Sequence, residues 1–353
     1  MKSFKSTVIA GLAVLIFAVA VLPAATASAQ SSASLSIVPK KNYVIEAGKS
    51  IKDTLTIRNL DSEKELLLNL RVIDFTYSDD GGTPKLMLAE DAPQTAWSLK
   101  PFMKVPTSVK VAPKSSKTID INVSIPANRT AGSFYSAIVY SSGAPEGGNV
   151  GLSASGVTLV FASIPGDVNE KLTLEKFGGY HAQTSTSKGD YFFITGKKPE
   201  TIAYTLNNQG NVTEAPVGSI TLTDIFGKER VITDVNPNSS LALIGQTRTF
   251  ISCIELADKT EQNGEGSAKS TACAEPSLWP GLYTAKLDLF YGQNGNRTQE
   301  ITSTASFWYL PLWFVIVFVV VLLAAAYGIW RLVEKIKGRN FSNQRKKLNR
   351  RRK

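Results

Sequence analysis

Few side chains in this sequence could perform redox, nucleophilic or acid–base chemistry. Its only cysteines are Cys253 and Cys273, and its only histidine is His181. The residues between the cysteines include the hydrophilic string Glu261-Gln262-Asn263-Gly264-Glu265-Gly266, which has little to bury. In an oxidising compartment a disulfide at the base of that loop is the expected pairing, with two free thiols as the alternative; closure would contribute about 3 kcal/mol on a chain-entropy model. His181 lies in the polar run Tyr180-His181-Ala182-Gln183. One histidine cannot make an HExxH helix or a multi-histidine zinc site, and a Ser–His–Asp triad using it would lack a G-x-S-x-G elbow. Gly147-Gly148-Asn149 does not match a phosphate loop, and Ser78-Asp79-Asp80-Gly81-Gly82 reads as a β-turn rather than a calcium loop. The expectation is a protein with no catalytic residue, no metal and no cofactor. Sequons in the body of the chain start at Asn122, Asn128, Asn211, Asn238 and Asn296, and act as acceptors only in a host that glycosylates.

The elements that would carry these residues are strands. Ile119, Ile121, Val123 and Ile125 alternate with polar neighbours, as do Leu66, Leu68, Leu70 and Val72, and Leu55 with Ile57. Turn chemistry at Glu46-Ala47-Gly48-Lys49, Ala112-Pro113-Lys114-Ser115 and Pro126-Ala127-Asn128 separates these runs. Further strands are expected at 156–162, 171–177, 191–195, 201–206, 219–224, 241–250 and 282–291, with no long amphipathic helix between them. This pattern predicts an all-β body of two tandem Ig-like antiparallel sandwiches, over 30–165 and 166–306, with the break at Pro165-Gly166 and the Gly/Ser-rich stretch 141–156 as a loop. A short internal repeat supports two units. Tyr135 matches Tyr283 and Asn59 matches Asn207, both at an offset of 148.

Both ends of the chain read as membrane signals. Lys2 and Lys5 precede an apolar run and Ala27-Ser28-Ala29, which predicts a signal peptide over 1–29 cleaved after Ala29. Residues 307–330 hold no charged side chain and carry aromatic residues at both ends, which predicts a transmembrane helix. The segment 331–353 has eleven Lys or Arg residues against the single acid Glu334, so the positive-inside rule makes it a cytoplasmic tail and puts the body outside. That tail accounts for nearly all of the net charge of +10. The basic balance therefore implies an anchor on membrane lipid and excludes a folded nucleic-acid-binding surface.

In this layout the chain resembles the WxL-interacting cell-surface proteins of Gram-positive bacteria. The residues that carry the resemblance are Val38-Pro39 with Ala47-Gly48-Lys49-Ser50, then Val111-Ala112-Pro113-Lys114-Ser115-Ser116. In the second half they are Asn207-Asn208-Gln209-Gly210-Asn211, Pro216-Val217-Gly218 and Asp224-Ile225-Phe226-Gly227. The cysteine pair has no counterpart in that pattern. The resemblance implies a peptidoglycan-binding Ig-like domain, a second Ig-like domain that binds host factors, one span and a basic tail. The function expected is a non-enzymatic surface protein that presents its sandwiches to a cell-wall polymer or another surface protein. The alternative is a subunit of a membrane assembly with a chaperone-like or sensory ectodomain.

Overall fold

The computed structural model describes residues 35–78, 81–89, 91–142, 155–183, 189–263, 266–292 and 297–350. The expected signal peptide over 1–29 and the last residues of the tail lie outside the described residues. The first half runs through β1 (Leu35–Ser36), β2 (Lys40–Val44), β3 (Ser50–Asn59), β4 (Leu66–Ile73), β5 (Phe75–Tyr77), β6 (Pro84–Leu86), β7 (Met103–Lys104), β8 (Ser108–Val111), β9 (Ser116–Ser124), β10 (Gly132–Ser142) and β11 (Ser155–Ile164). These form one sheet in the order β1-β3-β9-β7 and another in the order β2-β11-β10-β4-β8, with β5 and β6 as a separate hairpin. The period-two alternation does the work. Leu55 and Ile57 of β3 and Ile119, Ile121 and Val123 of β9 turn inward against Leu68, Leu70, Ile138, Tyr140 and Val160 of the facing sheet.

The second half repeats the plan with β12 (Leu172–His181), β13 (Asp190–Tyr191), β14 (Ile194–Thr195), β15 (Thr201–Asn208), β16 (Val217–Asp224), β17 (Glu229–Ile232), β18 (Thr247–Cys253), β19 (Leu256–Asn263), β20 (Gly266–Cys273), β21 (Gly281–Tyr291) and β22 (Gln299–Tyr309). Its sheets are β13-β12-β15-β18 and β14-β22-β21-β16-β17, with β19 and β20 paired as a hairpin. In each half a short strand runs parallel to the last long one: β2 beside β11, and β14 beside β22. Their second core gathers Tyr204, Leu206, Leu222, Phe250, Leu287 and Phe307.

Equivalent side chains hold equivalent loops. Asn59 is buried at the end of β3, and its amide donates to the carbonyls of Lys64 (2.8 Å) and Val111 (3.1 Å). Asn208 is buried at the end of β15 and donates to Val212 (2.7 Å) and Ala242 (2.9 Å). Each side-chain carbonyl also accepts the N–H two residues on, from Asp61 and Gly210. Gly132 and Gly281 open β10 and β21 with φ of 144° and 155°. Both pairs are spaced one residue more than the offset read from the sequence, which matched Asn59 to the wrong asparagine of Asn207-Asn208.

Three expectations require correction. Residues 241–246 are a loop, and the strand there is Thr247–Cys253; Asn208 claims the backbone of that loop, accepting from Gly245 N–H at 2.8 Å through its own carbonyl. The expected loop between the cysteines is the hairpin of β19 and β20, registered from Leu256 opposite Cys273 to Asn263 opposite Gly266. The expected transmembrane helix also begins too early. Phe307 and Tyr309 belong to β22 and are buried in the second core, with Trp308 turned the other way. Hydropathy sums cannot separate a strand end from a helix start when both are apolar. Pro311 then starts the helix, its carbonyl accepting from Phe314 (2.9 Å) and Val315 (3.2 Å). The helix α1 (Leu312–Arg350) continues beyond Trp330 into the basic segment. Its part Leu312–Ile336, 25 residues of mean hydropathy 2.8, is long and apolar enough to cross a membrane, and among the described residues nothing covers its most apolar stretch.

Asn208→Ala would remove three hydrogen bonds to the backbone, those with Val212 O, Ala242 O and Gly210 N–H. The variant is expected to lose on the order of 2 kcal/mol of stability in denaturant unfolding, whereas Asn42→Ala, at an exposed position, should unfold with the wild type. Equal midpoints for all three proteins would contradict this role.

Candidate functional site at the junction of the sheet pairs

The second half is seated on the first by a third apolar cluster. Leu243, fully buried, and its neighbours Leu241 and Ile244 press on the outer face of β10 and β11, where Tyr135, Ala137, Val139 and Phe161 are joined by Ile73 and Phe75. The rings pack edge and face: Phe75 to Tyr135 at 5.3 Å, Tyr135 to Phe161 at 5.8 Å and Phe75 to Phe161 at 5.9 Å between centroids. Polar bonds frame them. Arg248 Nη1 donates to the carbonyl of Leu241 (2.7 Å) and to Tyr77 Oη (2.8 Å), and its guanidinium lies 4.9 Å from the Tyr77 ring centroid. Tyr77 donates from its N–H to Gln246 Oε1 (3.0 Å) and from its hydroxyl to Leu241 O (3.0 Å). The Gln246 amide also donates to the Thr76 hydroxyl. At the other margin Ser133 N–H donates to Asn211 O (3.0 Å) and Thr213 N–H to Ser133 Oγ (3.0 Å). A Cβ on Gly132 would stand 2.8 Å from Asn211 O, so this approach needs glycine.

Beside the junction lies a cleft of about 300 Å³ whose lining includes Lys40, Tyr43, Val44, Phe161, Thr213 and Leu241. One wall is β2, the outermost strand of its sheet. Ladder bonds alternate along a parallel strand: Leu159 N–H donates to Pro39 O and Ile45 N–H to Ser163 O, both at 2.9 Å. The intervening Lys40, Asn42 and Val44 therefore aim their backbone groups away from β11. Val44 is 71% exposed. Lys40 Nζ lies 5.2 Å from the Phe161 ring centroid, and burial, helped by the charge of Arg248, lowers its pKa. The opposite face of β2 is tied to β3. Asp53 accepts from Lys41 Nζ (2.8 Å), Tyr43 Oη (2.7 Å) and Thr54 N–H (2.7 Å), and these bonds, led by that from Lys41, hold its pKa at about 2. Burial and the bond to Asp53 push the Tyr43 phenol up. The result is a fixed edge with free backbone donors and acceptors, one exposed valine and one cation, a set that can pair with an extended chain.

The residues singled out in the sequence lie elsewhere. Cys253 and Cys273 are bonded, with Cα atoms 5.1 Å apart, and tie the β19–β20 hairpin to the end of β18 opposite Thr201, at the other end of that strand from the junction. His181 packs on Phe192 with ring centroids 4.3 Å apart, at the edge of an open depression of about 800 Å³ where Lys198 pairs with Glu275 at 2.9 Å. Among the described residues no group of three His, Cys, Asp or Glu is placed to hold a metal. The open edge was missed, although Tyr43-Val44-Ile45 ahead of the turn Glu46-Ala47-Gly48 is a strand signal.

Glu214 was also missed. Only 2% exposed, it lies beside Thr213 at the junction, paired through its backbone with Ala242. Its Oε2 accepts from Gly292 N–H at 3.2 Å. Burial, with the negative charge of Glu170, raises its pKa to about 7.

No protein-family model and no curated protein matches the chain. Among solved structures it is similar to the class 5 fimbriae chaperone CfaA, at 11% identity over 79% of this chain and 100% of that one, with a TM-score of 0.32. It is similar to the E. coli chaperone DraB at 13% identity, over 79% and 97%, with a TM-score of 0.32. A Salmonella enterica structure of the SafA pilin with the SafB chaperone gives 10% identity over 77% and 96%, with a TM-score of 0.30. Scores of this size transfer neither residues nor ligands.

The raised pKa of Glu214 has a signed consequence. The folded state holds this proton up to about pH 7, whereas the unfolded chain releases it near pH 4.5, so stability falls as pH rises through that window. Glu214→Gln, which stays neutral, is expected to raise the melting temperature at pH 8 and to change it little at pH 4.5. A variant that melts with wild type at both pH values would contradict a buried, reluctantly ionised Glu214.

Proposed function

We propose that this chain is a single-span membrane protein of the cell surface, without enzymatic activity, whose body of two tandem Ig-like sandwiches lies outside and whose basic C-terminus is cytoplasmic. Its ligand in this reading is an extended segment of another surface protein, added along β2 and held against the cleft. The observation that carries the reading is the open edge itself: outward backbone groups at Lys40, Asn42 and Val44 next to apolar and cationic side chains, on a strand fixed by Asp53. The uncovered apolar helix supports a membrane anchor, and the basic residues after it support the orientation. A cell-wall polymer, the other ligand class implied by the resemblance to WxL-interacting proteins, would use side-chain hydrogen bonds and would not depend on that edge.

Val44→Pro separates the two. It removes an outward N–H while sparing the ladder to β11. Full-length protein carrying it should capture secreted or surface proteins about ten-fold more weakly than wild type, the change expected for one lost hydrogen bond of roughly 1–1.5 kcal/mol. Sedimentation with purified peptidoglycan that ignores Val44→Pro, with no protein captured by either form, would assign the polymer instead.

A further inference from the structure

The end of the second sheet pair that faces the helix carries a ring of exposed apolar tips. Register fixes their level. Tyr309, the last residue of β22, stands opposite Gly281 on one side and beside Thr195 on the other. Phe193 and Ile194 directly precede Thr195, Trp279 lies two residues before Gly281, and both segments reach the strand end: Leu310 N–H donates to Thr195 O at 2.8 Å. Asp224 is opposite Tyr283, so the turn after β16 projects toward the same level, with Ile225 3.7 Å from the Cβ position of Gly281. At its tip Phe226 is 83% exposed and Trp279 is 74% exposed; Phe193, Ile194 and Ile225 are also exposed. The turn is built to hold Phe226 out. Asp224 Oδ1 accepts from the N–H groups of Phe226 and Lys228, both at 2.9 Å, and Gly227 takes φ of 80°.

The connection to the helix is short. Only Leu310 and Pro311 separate β22 from α1, so Tyr309 and Leu312 can be no more than about 11 Å apart. A headgroup layer is about 5–7 Å deep on each side of the hydrocarbon. Any tip at the level of Tyr309 is thus within reach of the interface, where amphipathic rings and apolar side chains partition. Lys197, Lys198, Lys228 and Arg230 at this end are matched by Glu200, Asp224, Glu229, Glu255 and Glu275, so no net positive charge selects anionic lipid.

We infer that the second sheet pair rests on the outer leaflet, with Phe226, Trp279, Phe193 and Ile194 inserted among lipid headgroups as a non-electrostatic foot that fixes the body's orientation over the membrane. This rests on Leu312–Ile336 being the span. The ligand is the interface of a zwitterionic bilayer, and the contact does not require anionic lipid.

The test uses the full chain in nanodiscs of phosphatidylcholine, with and without bromine near the glycerol end of the acyl chains. The emission of Trp279 is the difference between wild type and Trp279→Phe, and that of Trp313, inside the span, the difference between wild type and Trp313→Phe. Bromine is expected to quench the Trp279 contribution about two-fold, as for a ring at headgroup depth, with no change on adding salt. Phe226→Trp in the Trp279→Phe background should be quenched in the same way, which covers any local effect of the first substitution. Quenching of Trp313 with Trp279 and the introduced tryptophan left unquenched would overturn the foot and keep the span. Failure of all three to quench would overturn the span and the foot together.

Discussion

The burial of residues 241–244 against the outer face of β10 and β11 is the constraint on which the rest of the molecule depends. A buried leucine contributes roughly 2–3 kcal/mol relative to an exposed one, and Leu243 is joined by a ring cluster that Phe75, Tyr135 and Phe161 complete from the other half. Arg248 and Gln246 then satisfy the carbonyls and hydroxyls at the margin, so the junction carries both apolar area and directed bonds. Two sheet pairs linked by residues 165–171 alone would swing about their linker; packed this way they share a wall. The cleft beside β2 exists because that wall holds Thr213 and Leu241 close to Lys40 and Val44.

The same constraint explains why β10 has no alternation. Residues from Gly132 to Tyr140 are buried without a break, one set of side chains facing the first core and the other facing the junction. A strand covered on both faces loses the period-two signature that identified β3 and β9. The apolar run Leu241-Ala242-Leu243-Ile244 reads as a strand for a related reason: its hydrophobicity serves a contact between halves rather than a sheet. Alternation marks strands with one face in solvent, whereas β11 and β15, covered on both faces, are marked instead by continuous apolar and β-branched runs.

Other features were readable only in part. The cysteines form the expected disulfide, and the residues between them pair backbone to backbone as a hairpin rather than a loop. Phe307 and Tyr309 read as membrane residues in the sequence because composition alone does not distinguish a ring in a protein core from one in lipid. The strand β2 has a local signal in Tyr43-Val44-Ile45, but the cleft beside it and the raised pKa of Glu214 arise from what lies beside them in space, namely the neighbouring half, and burial with the charge of Glu170. The repeated asparagine device at Asn59 and Asn208 was visible as a faint repeat, displaced by one residue.

If the junction makes one rigid body, its two halves should lose structure together. Differential scanning calorimetry of the purified protein in detergent is the direct measurement. One transition, with a calorimetric enthalpy equal to the van't Hoff enthalpy, is the result predicted for two sheet pairs coupled through Leu243 and Arg248. Two separate transitions, each with the enthalpy of a single half, would contradict the shared wall and with it the fixed cleft beside β2.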